Sequence, residues 1–169
     1  EVTKTHAANP ATFASPFWGP LGYVDADRVI FRRESTGRRT IRPRSIPDEL
    51  FDGVHLVALA AGSDALLLAR LGESKARGIV VEGFGRGNVP PAAFEGMKRA
   101  VASGIPVVTA TRCLGGRVLD VYAYDGGAKR QKEAGIILAG EIPGHKARLK
   151  LMLALAATDD PKELPAYFD

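Results

Sequence analysis

The sequence predicts an α/β fold: a small four-stranded parallel sheet with helices on both faces, preceded by a strand-rich segment. Two observations carry this expectation. The first is the stretch Gly78 to Pro91, GIVVEGFGRGNVPP. A short apolar run meets Glu82, passes through Gly83, Gly85 and Gly87, and reaches Asn88 and Pro90-Pro91 before a helical pattern begins. A buried strand running through a tight loop into a helix belongs at the C-terminal edge of a parallel sheet, where open α/β folds place their sites. The second is that, from Phe51 onward, short apolar runs alternate with segments of helical spacing. Strands joined by helices imply crossover connections and a sheet covered on both faces.

The elements follow in order. Val2-Thr3-Lys4-Thr5 reads as a strand, and Phe13 to Pro20 (FASPFWGP) as an aromatic, turn-rich piece. Tyr23-Val24 and Val29-Ile30-Phe31 flank the polar turn Asp25-Ala26-Asp27, a pattern for two short strands. Phe13, Phe17, Trp18, Leu21 and Tyr23 are many apolar residues for a segment with no helix of its own, and they need a partner surface. Residues 35–50, with Ser35-Thr36-Gly37, Pro43 and Pro47, show no sustained period and read as a linker. Val54 to Ala60 is the first core strand; Gly62-Ser63-Asp64 is a turn with capping residues, and Ala65 to Leu71 begins a helix. Ile79 to Val81 is the second strand. Pro91 opens a helix whose Phe94, Met97 and Val101 recur at helical spacing and which Gly104 ends. Pro106 to Thr109 is the third strand, Leu119 to Tyr122 an extended segment, Ala128 to Glu133 a short helix, and Ile136 to Leu138 the fourth strand. Pro143 opens a longer helix to about Ala157 with Ala147, Leu151 and Leu155 inward, and Asp160-Pro161 caps a last short helix ending in Tyr167-Phe168.

The composition of the 169 residues, 46% hydrophobic and 25% charged, is ordinary for a globular protein, and no apolar run is long enough to span a membrane. The single cysteine, Cys113, excludes an internal disulfide, and the scattered His6, His55 and His145 show no metal-ligand spacing. No metal site is expected from these residues. The net charge of +4 is local: Arg28, Arg32, Arg33, Arg38, Arg39, Arg42 and Arg44 crowd one stretch whose only acid is Glu34. That stretch reads as a solvated linker, or as a face that pairs with acids of another domain. The alternative is a stand-alone interaction or nucleic-acid-binding module. Against nucleic acid stand the single interleaved aromatic, Phe31, and the lack of a recognisable module. With no initiator methionine and no signal peptide, the chain is expected to be a piece of a longer polypeptide.

Each motif has two readings. The glycine loop departs from a dinucleotide fingerprint at Asn88, and no lysine followed by serine or threonine completes a phosphate loop. It reads as a tight turn in which Asn88 hydrogen-bonds local backbone. Glu82 is a strand-end carboxylate expected to bond loop amides or pair with Arg86. Ser63 and Asp64 cap a helix and also lie in a turn that faces the strand ends. Thr109, Thr111 and Arg112 could bind a carboxylate or stitch neighbouring loops. Nothing in the sequence supplies Cys113 with the base or electropositive setting of a catalytic thiol.

Taken jointly, four segments resemble the C-terminal part of the bacterial-type L-asparaginases, a family of threonine amidohydrolases. They are Thr3-Lys4-Thr5-His6 with Phe13 and Gly19-Pro20-Leu21-Gly22-Tyr23; Gly78 to Gly83 with Gly85, Gly87 and Asn88; Ile105 to Val108 with Thr111-Arg112; and Ala134 to Gly140 with Lys146-Ala147-Arg148 and Lys150 to Leu155. The resemblance implies hydrolysis of L-asparagine to aspartate and ammonia without metal or cofactor, through a threonine hydroxyl that forms an acyl-enzyme. It also implies residues 1–34 as the end of an N-terminal domain, 35–50 as linker and 51–169 as the C-terminal α/β domain. The implied partners are that N-terminal domain and further copies of the chain, in a dimer or tetramer. The implied compartment is the cytoplasm, with periplasm and secretion left open.

The family's catalytic groups lie on a TGGT turn and a TDT turn, and neither string occurs in this sequence. Thr36-Gly37-Arg38 lies in the linker and Thr158-Asp159-Asp160 at a helix start, so neither substitutes. The chain is therefore expected to carry no catalytic residue and to be inactive alone. Ser63 and Asp64 are the residues the resemblance places beside a neighbouring subunit's substrate, and the resemblance also brings a second loop, around Asp125, near it.

Overall fold

The computed structural model describes residues 2–34, 37, 39–46 and 52–168. The expectations on Ser35-Thr36, on Arg38 and on the stretch from Pro47 to Phe51 lie outside the described residues. The chain divides into two compact units, Glu1–Thr40 and Ile41–Asp169, and each is described by itself.

The first unit is built from two antiparallel pairs. Strand β1 (Thr3–Lys4) pairs with β2 (Phe13–Ala14), and β3 (Gly22–Asp25) pairs with β4 (Arg28–Phe31) through the turn at Ala26, whose φ is 52°. A short polar turn between two β-branched and aromatic runs favours this hairpin. Between β1 and β2, the buried Thr12 hydroxyl donates to the His6 carbonyl and accepts from the His6 amide, both at 2.6 Å. His6 Nδ1 accepts from the Ala8 and Asn9 amides at 3.0 Å each. The apolar side chains stay outside: Phe13 is 69% exposed, Trp18 62% and Phe31 72%, and with Val2, Leu21 and Tyr23 they line one open concavity.

The second unit is the expected parallel sheet, with β5 (Val54–Ala58), β6 (Gly78–Gly83), β7 (Val107–Thr111) and β8 (Ile137–Leu138) in spatial order β5-β6-β7-β8, every pairing parallel. Four strands laid successively in one direction require helical or loop crossovers, and right-handed crossovers put the connecting helices on one face. Helices α1 (Leu66–Gly72) and α2 (Pro91–Ala102) accordingly bury Leu68, Phe94 and Met97 against Val57, Ile79 and Val81. Helix α3 (Ala128–Glu133) lies between β7 and β8 in the chain, as expected. The opposite face of the strands, Val54, Val80, Val108 and Ala110, is covered by α4 (Gly144–Ala157) through Ala147, Leu151, Met152 and Ala154. The alternation within Ile79-Val80-Val81 thus serves two cores, all three residues being fully buried. Such near-continuous apolar runs mark strands covered on both sides.

One local expectation needs correction. Leu119 to Tyr122 is not extended: Asp120 and Val121 form a turn, with the Val121 amide bonded to the Leu119 carbonyl at 2.9 Å. The expected last short helix is present as the 3-10 helix Pro161–Tyr167, with Pro165 inside it and the Asp160 carboxylate accepting from the Lys162 amide at 2.9 Å. No described helix is long and apolar enough to cross a membrane.

Candidate functional site

All four strands run the same way, so the segments that follow them gather at one edge of the sheet. The turn after β5 holds Ser63 and Asp64. The Ser63 hydroxyl oxygen accepts from the Ala60 amide at 2.8 Å, and the exposed Asp64 carboxylate accepts from the Leu66 amide at 3.0 Å. The N-cap position of α1 is Ala65, which has no capping side chain, so Asp64 satisfies an orphan helix amide from one residue upstream.

After β6 the glycine loop closes on itself through the main chain. The Phe84 amide donates to the Asn88 carbonyl at 2.8 Å, and the Gly87 and Asn88 amides donate to the Phe84 carbonyl at 2.9 Å each. Amides consumed in this way are not offered to a phosphate, which argues for the tight-turn reading over a nucleotide cradle. The expectation for the Asn88 side chain is overturned: its Oδ1 is buried without a hydrogen-bond partner, because the backbone alone closes the loop. The expected pairing of Glu82 with Arg86 is likewise not found among the described residues. The half-buried Glu82 side chain instead packs against Gly144, the first residue of α4, where any Cβ would overlap its carboxylate. Helix α4 has no acid in its own first turn, so Glu82 brings negative charge to the positive end of the helix from another element.

After β7, the two hydroxyls and the guanidinium stitch loops together. Thr111 Oγ1 donates to the Gly85 carbonyl at 2.6 Å and accepts from the Cys113 amide at 3.1 Å. Arg112 donates to the Leu59 carbonyl at 2.8 Å, with its guanidinium 5.2 Å from the centre of the Phe84 ring. Three successive strand ends are thereby tied across the edge. Thr109 Oγ1 donates to Gln131 Oε1 at 2.6 Å, and Gln131 Nε2 donates to the carbonyls of Gly87 at 2.7 Å and Gly126 at 2.9 Å. Gln131 is fully buried, and the motif reading missed it. The one signal in the sequence is its position three residues after Ala128, on the inner face of a helix whose neighbours Lys129, Arg130, Lys132 and Glu133 are polar and charged.

The segment between β7 and α3 ends in an exposed tip. The Tyr122 and Tyr124 rings lie 5.8 Å apart, and Asp125 is exposed beside them. Lys132 Nζ donates to Asp120 Oδ2 at 2.9 Å; this hydrogen bond first, and the lysine's charge second, hold the Asp120 carboxyl below its ordinary value. Among the described residues no group of three or more His, Cys, Asp or Glu is placed to hold a metal ion. At this edge the hydroxyls of Thr109 and Thr111 are committed to the bonds above. Of the arginine run, Arg33 donates to the Trp18 and Pro20 carbonyls, Arg32 to Tyr23 Oη at 3.0 Å, and Arg44 to Asp159, so much of its donor capacity is used within the fold.

Residues 53–168 match the family model of the glutaminase/asparaginase C-terminal domain. Over its whole length the chain is 30% identical to a probable periplasmic L-asparaginase of Haemophilus influenzae, covering 48% of that protein. It is 35% identical over 91% of its length to a probable L-asparaginase of Deinococcus radiodurans, covering 46% of it. It is also 32% identical over 96% of its length to a glutamyl-tRNA(Gln) amidotransferase component of Pyrococcus furiosus, covering 37% of that protein. The chain thus spans about half, or less, of the length of these relatives.

Proposed function

The chain belongs to the glutaminase/asparaginase C-terminal domain family, and from that premise we propose that it is the C-terminal half of an L-asparaginase-type amidohydrolase, converting asparagine and water to aspartate and ammonia. The observation that carries the reading is the match of residues 53–168 within a similarity that runs the length of the chain. In this reading the nucleophilic threonine and its helpers come from an N-terminal domain, since the TGGT and TDT strings are not in this sequence. The exposed face made by Phe13, Trp18 and Phe31 supports a first unit that completes its packing against that domain. Residues 1–34 then close the N-terminal domain, 35–50 link, and 51–169 form the supporting domain.

Ser63 and Asp64 are proposed to lie beside the substrate held by a neighbouring subunit of a dimer or tetramer, with the Tyr122–Gly127 loop as the second contact. Both stand at the sheet edge where this fold type places ligands. The proposed compartment is the cytoplasm, although the Haemophilus relative is named periplasmic; fractionation of the host decides it.

The test is ammonia release from L-asparagine. The purified 169-residue chain is expected to release none, and the longer polypeptide carrying both halves is expected to be active. Hydrolysis by the isolated chain overturns the assignment of chemistry to the other half. A tRNA-linked amidotransferase is the variant reading, motivated by the similarity to the Pyrococcus protein. Ammonia release from free asparagine, with no tRNA present, favours the hydrolase.

A further inference from the structure

We propose that Gln131 is a positioning residue: its buried carboxamide sets the spacing of the two loops that flank the substrate-facing edge, and so sets affinity for the amide substrate. The proposal rests on the reading of this chain as the C-terminal half of an asparaginase-type enzyme.

The chemistry of the contact is specific to a glutamine. Its two N–H donors reach two different loops, at the carbonyls of Gly87 and Gly126, while its own carbonyl receives the Thr109 hydroxyl from strand β7. A leucine would fill the space but leave the Gly87 carbonyl and the Thr109 hydroxyl without these partners, and the Gly126 carbonyl with the Val89 amide alone. A glutamate would keep the acceptor for Thr109 and turn an oxygen toward two carbonyl oxygens. The main chain adds a second tie between the same loops, the Val89 amide donating to the Gly126 carbonyl at 3.0 Å.

The backbone at both ends of the bridge is tailored to it. Gly126 has a φ of +90° and meets the Val89 carbonyl so closely that a Cβ would overlap it. At Gly87, with φ of +95°, a Cβ would fall 2.5 Å from Val118 Cγ1. The base of the Tyr122–Gly127 loop is therefore locked, while Tyr122, Tyr124 and Asp125 at its tip stay exposed. A rigid base with a presented tip suits a loop that orients a ligand.

Two variants test this. In the 169-residue chain, Gln131→Leu and Gln131→Glu are expected to speed hydrogen exchange of the Val89 amide, which is bonded to the Gly126 carbonyl. In the longer polypeptide, Gln131→Leu is expected to raise KM for asparagine about tenfold, the shift expected from roughly one lost hydrogen bond, with kcat changed less than about twofold because the nucleophile is elsewhere. For Gln131→Glu the KM defect is expected to shrink as pH falls, since a protonated carboxyl regains a donor. If Gln131→Leu does not fold, Gln131→Glu, of nearly equal size, carries the test.

Faster exchange and lower stability with unchanged KM would make Gln131 a structural residue and overturn the proposal, as would parental exchange and KM in both variants. A parent polypeptide that does not hydrolyse asparagine removes the functional reading and the positioning role with it, while the exchange measurement separately reports whether the bridge exists.

Discussion

Replacing Gly126 with alanine isolates the junction between the glycine loop and the loop before α3. Two costs add. A φ of +90° is strained for any L-residue with a Cβ, at about 1–2 kcal/mol. The new methyl would also overlap the Val89 carbonyl oxygen, which is backbone and has no rotamer to yield, so the loops must part. Parting them endangers two hydrogen bonds to the Gly126 carbonyl, from the Val89 amide and from Gln131 Nε2, worth about 1 kcal/mol each. The expected loss is about 3–4 kcal/mol, which at a urea slope of roughly 2 kcal/mol per molar lowers the midpoint by about 1.5–2 M. Two further variants calibrate it. Gly104→Ala has a φ of +82° but nothing within 4 Å of its Cβ, so only the conformational cost applies. Gly72→Ala, at the end of α1 with ordinary contacts at 3.7 Å to Ala100, is expected to be neutral or stabilising by up to about 1 kcal/mol. Urea unfolding followed by far-ultraviolet circular dichroism reads all three; the single tryptophan, Trp18, belongs to the first unit. A Gly126→Ala midpoint no lower than that of Gly104→Ala refutes the overlap reasoning.

Leu151→Ala, at a fully buried position of α4, is expected to cost about 2–5 kcal/mol through lost transfer energy and a cavity, read by the same unfolding experiment; a loss below about 1 kcal/mol contradicts the placement of that helix on the sheet. Asp120 has its folded carboxyl lowered by Lys132, so the contribution of this pair is present above the unfolded carboxyl value near 3.9 and disappears as pH falls through the lower folded value. Lys132→Met is expected to return the Asp120 titration, followed by carbon-detected NMR, toward the ordinary carboxyl range; an unmoved titration contradicts the hydrogen bond.

Much of the second unit is legible along the chain. Ile79-Val80-Val81 announces a strand buried on both faces, Pro91 with Gly104 frames α2, and Ala128 to Glu133 is a helix with the expected bounds. Each signal is local, a run of residues or a breaker acting within a turn or two. The extended reading of Leu119 to Tyr122 failed because the apolar residues there are separated by Asp120, whose side chain is engaged by Lys132 from α3. Periodicity has no access to such a partner.

Local sequence determined the strands, the helices and the glycine loop between them, because β-branched runs, prolines and positive-φ glycines constrain the backbone within a few residues. The family resemblance, too, was carried by residues in order along the chain. The tertiary structure alone decided what the polar groups at the edge do. Arg112 meets Leu59 across 53 residues and Gln131 meets Gly87 across 44. Glu82 was placed against α4 rather than beside Arg86, and Asn88 kept a buried oxygen without a partner. A buried polar group takes whichever complementary partner the packed strands bring within about 3 Å, and that neighbour is set by the order of strands in the sheet, not by spacing in the chain.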